Sequence, residues 1–540
     1  MRTPGALLAR TQALRRLRSR GFPVGGPALA RVALAAIVLV SLLVVVVAAD
    51  RPSFLTPASR TGFFPAWIAG PLGGLWPQFT EDPNAYRYVF TFAIVGMYAC
   101  YVVAIVHAPR LRARWAIGTV LAVHLIFLLS PPLSLTDIFN YINYGRMGVI
   151  HGLNPYVTTP MLEPHSDPAF DLSNWHSLLS PYGPLFTIFT FALVPLGVAA
   201  SFWTLKVVLM VASLGTVALV WKCARLLGRD PLMPVVFVGL NPIVLVWGLG
   251  GDHNDFLMVF FIVLAIYLLL RAGAIPGAVS DGLGDSRSPA APAFPSLAGV
   301  AGASATTLPS SDSEREPGHG LGSRLRGALW PLPWWELGAG VTLIVAVAIK
   351  ASAAVLLPVV LIGLLARPRR LAGVLVGMLL AGLVLGVASY AAFGAHLPDL
   401  TTQSRLVTVM ALPNLLGLAL GLGGETVGLR VGVTAVLVLV VLAVGVRAWR
   451  RGELIAMTGW ATIALIVTLS WVLPWYALWM LPLAALGGSR RQRRVVLIVG
   501  AYLIFAWVPV MADLFNLVGF NPNSTPLAKQ HQLETKNLLH

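Results

Sequence analysis

An acidic residue follows directly after an apolar run, at a position where an apolar chain rarely keeps a carboxylate without a use. Asp137 lies in the polar stretch from Ser134 to Arg146, immediately after the apolar residues 115–133. A carboxylate at a membrane surface is costly to bury, but it is well placed to accept a proton from a hydroxyl group. The position of Asp137 therefore predicts a general base.

The residues around Asp137 have the spacing of an amphipathic helix. If a helix starts near Ser134, a turn of about 100° per residue gives it one polar stripe and one isoleucine stripe. The polar stripe holds Asp137, Asn140, Tyr141 and Tyr144. Such a helix would lie on the bilayer with its isoleucines facing the lipid. One alternative stays open, because Ser134 and Asp137 also have the spacing of a capping box, in which Asp137 only closes the helix N-terminus.

Aromatic and hydrogen-bonding side chains continue through the same loop, and this mixture suits the apolar faces and hydroxyl groups of a sugar. The candidates for sugar or acceptor binding in the loop are Tyr141, Tyr144, Asn154, Tyr156, His176 and Tyr182. Trp175 and a later group of aromatic residues are typical of the interfacial belt of a membrane protein. The members of this later group, which could also border a lipid groove, are Trp471, Trp475, Tyr476 and Trp479.

A second polar turn, from Gly251 to Asp255, lies between apolar runs. Asp252, Asn254 and Asp255 are candidates for sugar or acceptor binding, and we expect the turn to converge with the loop 134–182 on one outer cavity. Asp, His and Asn can bind metals, but no second histidine stands at the spacing of a helical metal site. We therefore predict no cofactor, while the residue types leave a divalent metal open.

Two basic residues are candidates for binding a phosphate. Lys350 stands between two short apolar stretches, where a lysine is costly unless it meets an anion or reaches the interface. A lipid phosphate is one such anion, and snorkelling of the lysine to the interface is the alternative. Arg405, in the loop 392–425, is a candidate of the same kind.

The composition is that of a polytopic membrane protein. Hydrophobic residues make up 57% of the 540 residues, charged residues only 11%, and the mean hydropathy is +0.80. Repeated apolar runs of about 20 residues fit a hydrocarbon core about 30 Å thick. The net charge of +17 comes mainly from arginines in short loops, a distribution typical of cytoplasmic loops and not of a nucleic-acid surface. Cys100 and Cys223 would lie at different depths, which excludes a disulfide between them.

The alternation of arginine-rich loops predicts an all-α bundle of about thirteen transmembrane helices. Residues 184–199 are predicted as a re-entrant or surface-lying helix that belongs, with the amphipathic helix of Asp137, to the first large outer loop. The predicted segments are a cytoplasmic basic N-terminus at 1–31, an N-terminal membrane half at 32–271 with the catalytic outer loop 134–182, a disordered cytoplasmic linker at 272–335, a C-terminal membrane half at 336–512, and an outer tail without an assigned role at 513–540.

Four short motifs, in order and on the outer side, carry a resemblance to a known family. They are Asp137, Asn154-Pro155-Tyr156, Pro181-Tyr182-Gly183-Pro184-Leu185 and Gly251-Asp252-His253-Asn254-Asp255. With these motifs the chain resembles the GT-C glycosyltransferases, which are polytopic and use polyprenyl-phosphate-linked sugars. Within that class it is most similar to the actinobacterial alpha-(1→6)-mannopyranosyltransferases of lipomannan assembly. The resemblance does not extend to residues 1–30, 272–330 or the tail.

The resemblance implies an inverting, alpha-(1→6) transfer of mannose from polyprenyl-phosphate-mannose to a lipid-anchored glycan. The reaction would take place on the outer face of the cytoplasmic membrane. Asp137 would remove the acceptor's proton, and the donor phosphate would be held by Lys350, Arg405 and His253. The expected partners are donor, lipid-linked acceptor and membrane lipid, without nucleic acid. The alternatives are a GT-C transferase for another sugar, such as arabinofuranose, and a transporter, which the lack of an internal repeat disfavours.

Overall fold

The structure is a computed structural model that describes residues 26–49, 65–72, 82–134, 136–275 and 333–539. In these ranges the regular secondary structure is helical and no strand is present, which confirms the all-α prediction. Most of the predicted N-terminus 1–31 and linker 272–335 lies outside the described residues.

Twenty α-helices are described, together with short 3-10 segments and one π-helical segment, Val244–Leu249. The α-helices are α1 Pro27–Ala49, α2 Ala66–Ala69, α3 Pro83–His107, α4 Ala113–Leu128, α5 Asp137–Val149, α6 Pro184–Leu193, α7 Gly197–Leu226, α8 Leu232–Gly239, α9 Asp255–Arg271, α10 Trp334–Ile349, α11 Leu356–Gly363, α12 Pro368–Phe393, α13 Leu400–Arg405, α14 Leu412–Ala419, α15 Val427–Arg451, α16 Leu454–Thr468, α17 Ala477–Leu486, α18 Arg490–Trp507, α19 Met511–Leu517 and α20 Pro526–Leu539. The 3-10 segments are Ala108–Arg110, Pro160–Leu162, Val194–Leu196, Ala351–Val355 and Pro474–Tyr476.

Several helices are suited to a membrane. Among the described residues, five are long and apolar enough to cross one: Pro27–Ala49, Asn84–Arg110, Pro184–Leu226, Pro368–Phe393 and Val427–Arg451. A sixth candidate is the pair α18 and α19, which is bent by 83°. Further apolar helices of 10–17 residues lie between them. The chain is thus a helical protein suited to a membrane, while the thirteen crossings and the re-entrant helix remain predictions.

Helices α10 and α12 approach closely because glycines face each other's backbone. A Cβ added at Gly340 would lie 2.0 Å from the carbonyl oxygen of Val374, and one added at Gly377 would lie 2.0 Å from that of Leu337. Small residues let membrane helices pack at backbone distance. Helix α10 ends at Ile349, so this packing also fixes the position of Lys350.

We expect Gly377→Ala to destabilise the fold, because its methyl group would force α10 and α12 apart. Overpacking of this kind typically costs about 1–3 kcal/mol. The measurement is thermal unfolding in detergent, with Gly386→Ala on the same helix as control. A Cβ at Gly386 meets nothing within 4 Å, so that variant should retain the parent's melting temperature. Equal melting temperatures for the two variants would contradict the close contact.

Candidate functional site

Asp137 is the first residue of α5, and its carboxylate is partly exposed. The helix begins three residues later than expected because Ser134 has a left-handed backbone, with φ of +68°. The N-cap position is Thr136, which makes no side-chain capping bond, and a capping box between Ser134 and Asp137 is therefore not formed. A negative charge in the first turn is stabilised by the helix dipole.

The predicted polar stripe of α5 lines a cavity of about 520 Å³. Its members Asp137, Asn140, Tyr141 and Tyr144 all face this space. Contrary to the expectation, the isoleucine stripe does not face lipid, because Ile138 and Ile142 are buried in the protein core. Helix α5 is thus packed into the protein and presents its polar side to the cavity.

The second polar turn packs against Asp137, but none of the residues from Gly251 to Asp255 lines the cavity itself, contrary to the expectation. The Nδ1 atom of His253 lies 3.1 Å from the Oδ2 atom of Asp137. The imidazole is buried and stacks on the indole of Trp475, with ring centroids 3.6 Å apart and planes 9° apart. This stacking fixes the ring, so His253 is placed to orient the Asp137 carboxylate.

Lys350, which directly follows helix α10, lines the cavity and is bonded to the same polar turn. Its ammonium group donates hydrogen bonds of 2.9 and 2.8 Å to the buried carboxylate of Asp255, which also accepts a 2.5 Å bond from the indole of Trp479. The ammonium lies over the rings of Tyr476 and Trp479 at 5.0 and 5.4 Å. Lys350 therefore does not simply snorkel; it is a cation held at the cavity wall.

The aromatic residues near Lys350 belong to the site and not only to an interfacial belt. Trp475, Tyr476 and Trp479 are buried and line the cavity, and Tyr182 lines it as well. Trp175 and Trp471 meet edge to face at its rim, with ring centroids 6.0 Å apart. Stacked and edge-on rings of this kind suit the apolar face of a sugar.

Sequence reasoning missed the partner of Asp252. The ammonium of Lys206 donates bonds of 3.0 and 3.1 Å to this carboxylate, and both side chains are buried. Burial raises the pKa of Asp252, and the ammonium opposes that rise. The available signal was the position of Lys206 inside the apolar part of helix α7, away from the basic residues near the end of the helix, because a charge at such a position needs a partner.

Asn254 completes the turn and, like the other predicted sugar-binding residues Asp252 and Asp255, does not line the cavity. Its backbone N–H donates to the Tyr141 hydroxyl at 3.3 Å, which connects the turn to α5. The Asn254 side chain is buried and has no hydrogen-bond partner among the described residues. Backbone strain marks the same region: Ser134, Trp175 and Asp252 are the non-glycine residues with positive φ in the described ranges. Such strain concentrates at functional sites.

Three predicted sugar-binding residues hold the loop together and do not line the cavity. Asn154 donates to the carbonyl of Phe393 at 2.8 Å, and the Tyr156 hydroxyl donates to the carbonyl of Tyr182 at 2.8 Å. His176 is buried, with Nε2 3.0 Å from the Phe170 carbonyl oxygen. These contacts position Tyr182 and the loop, so their role in the structure is support.

Arg405 does not line the cavity either, and another arginine takes that place. Arg405 is exposed, although its neighbours Ser404 and Leu406 face the cavity. Arg430 lines the cavity and bonds the buried carboxylate of Glu425 at 2.9 Å. Sequence reasoning missed Arg430, because it begins a long apolar helix and resembles an ordinary interfacial charge.

A second cluster supports α5 from behind. Asn143 donates a 2.6 Å bond to the buried carboxylate of Glu163. Arg146 bonds Asp167 at 2.8 Å, and His151 lies 2.8 Å from the same carboxylate. Burial would raise the pKa of Asp167, but these bonds bring it below its usual value. The cluster fixes the C-terminal half of α5, which in turn orients Asp137.

Comparison with known proteins gives two adjoining matches. Residues 38–367 match the family described as alpha-(1->6)-mannopyranosyltransferase, N-terminal domain, which is more than half of the chain. Residues 407–520 match the MptB C-terminal domain. No solved structure matches the chain.

Two curated relatives are similar to a shorter part. Alpha-(1->6)-mannopyranosyltransferase A of Mycobacterium tuberculosis is 30% identical over 158 residues, which is 28% of this chain and 30% of the relative. The enzyme of the same name from Corynebacterium glutamicum is 26% identical over 164 residues, 29% of this chain and 32% of the relative. The matches thus span about a third of each relative's length.

The Glu163 carboxyl makes stability depend on pH. Burial raises its pKa to about 7, although the bond from Asn143 lowers it. The folded state favours the protonated acid, so its contribution is full below the ordinary pKa and is lost as pH rises through about 7. We expect a lower melting temperature at pH 8 than at pH 5, and a smaller difference in Glu163→Gln. The pKa of Asp167 is lowered, so its contribution to the pH dependence of stability lies at lower pH than the range from pH 5 to pH 8. An unchanged pH dependence in Glu163→Gln would contradict this assignment.

Proposed function

The chain belongs to the alpha-(1→6)-mannopyranosyltransferase family, and we propose that it transfers mannose from polyprenyl-phosphate-mannose to a lipid-anchored glycan. We place the reaction on the outer face of the cytoplasmic membrane, because the arginine-rich loops predict the side opposite the site as cytoplasmic. The linkage is proposed as alpha-(1→6), with inversion at the anomeric carbon. The proposed reaction uses no cofactor.

One observation carries the proposal: a partly exposed carboxylate faces an aromatic cavity and lies 3.1 Å from a buried histidine. In the proposed step, the acceptor oxygen forms a bond to the anomeric carbon while the bond from that carbon to the phosphate oxygen breaks. The leaving phosphate keeps the electron pair, and Asp137 takes the proton of the acceptor hydroxyl. His253 is assigned the role of orienting this carboxylate, because its Nδ1 atom lies 3.1 Å from the Oδ2 atom of Asp137.

The departing lipid phosphate needs positive charge close by. Lys350 supplies an ammonium on the cavity wall, and Arg430 supplies a guanidinium on the same cavity. Arg430 is only partly exposed, and a guanidinium has five donors in a fork that matches phosphate geometry. Lys350 and Arg430 are therefore the proposed phosphate ligands, with Arg430 in the place first assigned to Arg405.

Asp137→Asn should abolish most turnover while the protein stays folded. Asparagine keeps the shape of the side chain but cannot accept a proton, and loss of a general base costs on the order of 10² to 10⁴ in rate. The measurement is turnover with polyprenyl-phosphate-mannose and with the arabinofuranose analogue, together with thermal stability. Ser134→Ala is the control and should remain active. Normal turnover in Asp137→Asn would overturn the assignment of Asp137 as the base, and transfer from the arabinofuranose donor alone would contradict the proposed sugar.

Lys350→Met should weaken donor binding by about tenfold or more, because a hydrogen bond to a charged group contributes about 1.5–3 kcal/mol. The measurement is equilibrium binding of a short-chain polyprenyl-phosphate-mannose. The single variant also leaves Asp255 buried without its cation, which is destabilising by itself. The double variant Lys350→Met with Asp255→Asn removes both charges and is the matched control for folding. Unchanged donor affinity in the double variant would leave Lys350 a purely structural role.

A further inference from the structure

Helix α20, Pro526–Leu539, lies beyond the segments that match the family. The second match ends at residue 520, yet Thr535 and Leu539 line the same cavity as Asp137. The sequence alone assigned this tail no role. An element outside the shared family pattern that nevertheless borders the site is a candidate for adapting that site to a particular substrate.

Both ends of α20 are anchored to the outer surface of the protein. At its start, the Thr525 hydroxyl bonds the carbonyl of Gly423, and His531 Nε2 lies 3.2 Å from the carbonyl oxygen of Glu425. At its other end, the carbonyl of Leu538 accepts a 3.2 Å bond from the backbone N–H of Ser177. The helix is thus bound at two points, and its last turn is fixed beside the outer loop.

The loop segment that receives this last turn is itself tied to the helix of Asp137. Asn140 on α5 and Asn174 exchange two bonds, one of 3.2 Å between side chains and one of 3.0 Å from the Asn174 backbone. Trp175 follows with a left-handed φ of +62° and faces the cavity. Helix α5, the loop segment at Asn174 and Trp175, and the last turn of α20 therefore form one wall of the cavity.

We propose that the last turn of α20 forms part of the acceptor site and sets which glycan is accepted. Under the proposed function, the acceptor hydroxyl must reach Asp137, so the preceding sugar units of the acceptor extend along the adjoining wall. Leu539 and Trp175 offer apolar surface to sugar faces. The Thr535 hydroxyl donates to the His531 carbonyl at 3.0 Å and can accept a hydrogen bond from a sugar hydroxyl. The donor phosphate is bound separately, at Lys350.

The test is Leu539→Trp, which fills the space next to Trp175. The matched control is Leu533→Trp on the same helix, where the leucine is 57% exposed. Binding of an octyl alpha-(1→6)-dimannoside is measured by calorimetry, and KM values for acceptor and donor are measured by turnover. We expect Leu539→Trp to weaken dimannoside binding and raise the acceptor KM about tenfold or more, as a misfit in a specificity pocket does. The donor KM and the control variant should change less than about twofold, and Leu539→Met should restore binding.

The outcomes separate this proposal from the proposed function. A rise in donor KM alone, or equal effects of the two tryptophan variants, would overturn the acceptor assignment. Higher activity after removal of residues 526–540 would overturn it as well, because the helix would then be a plug. If the parent protein binds the dimannoside but transfers no mannose, the proposed function fails, and the binding data still decide the role of α20. A parent protein that neither binds nor transfers contradicts both.

Discussion

Charged groups inside an apolar helical protein must find partners, and the turn from Gly251 to Asp255 concentrates that demand. Its three ionisable residues each meet a residue from a different part of the chain. The pairs are Asp252 with Lys206, His253 with Asp137, and Asp255 with Lys350. Apolar surfaces are not directional, whereas these pairs have fixed geometry. The turn thereby fixes α5, α7 and the end of α10 relative to one another.

This pairing also selects the reactive group. Asp252 and Asp255 are buried and each bonds a lysine, so neither is free to take a proton from a substrate. Asp137 faces the cavity, and its contact is a histidine, which carries no permanent charge. Three acids therefore have two kinds of environment, and only one of these suits a general base. The aromatic wall beside it supplies surface for a sugar ring without adding competing charge.

The features that could be predicted from the sequence depend on neighbours along the chain. The polar stripe of α5 follows from spacings of three and four residues, and the family and the all-helical fold are confirmed. The Lys206–Asp252 pair spans 46 residues and the Lys350–Asp255 pair 95, so helix packing alone determines them. The late start of α5 depends on the φ angle of Ser134, which residue type does not reveal.

Under the proposed function, the bond between Lys350 and Asp255 makes one ammonium group serve two anions. A phosphate that approaches Lys350 competes with Asp255 for the same protons, so donor binding and the attachment of the turn are thermodynamically linked. A change that strengthens the Lys350–Asp255 pair therefore weakens the binding of the phosphate by the same factor. The indole of Trp479 also bonds Asp255, so this buried carboxylate keeps a second donor if the ammonium turns to a phosphate. Re-formation of the internal pair favours release of the product phosphate, and the site then returns to its resting charge without any external cation.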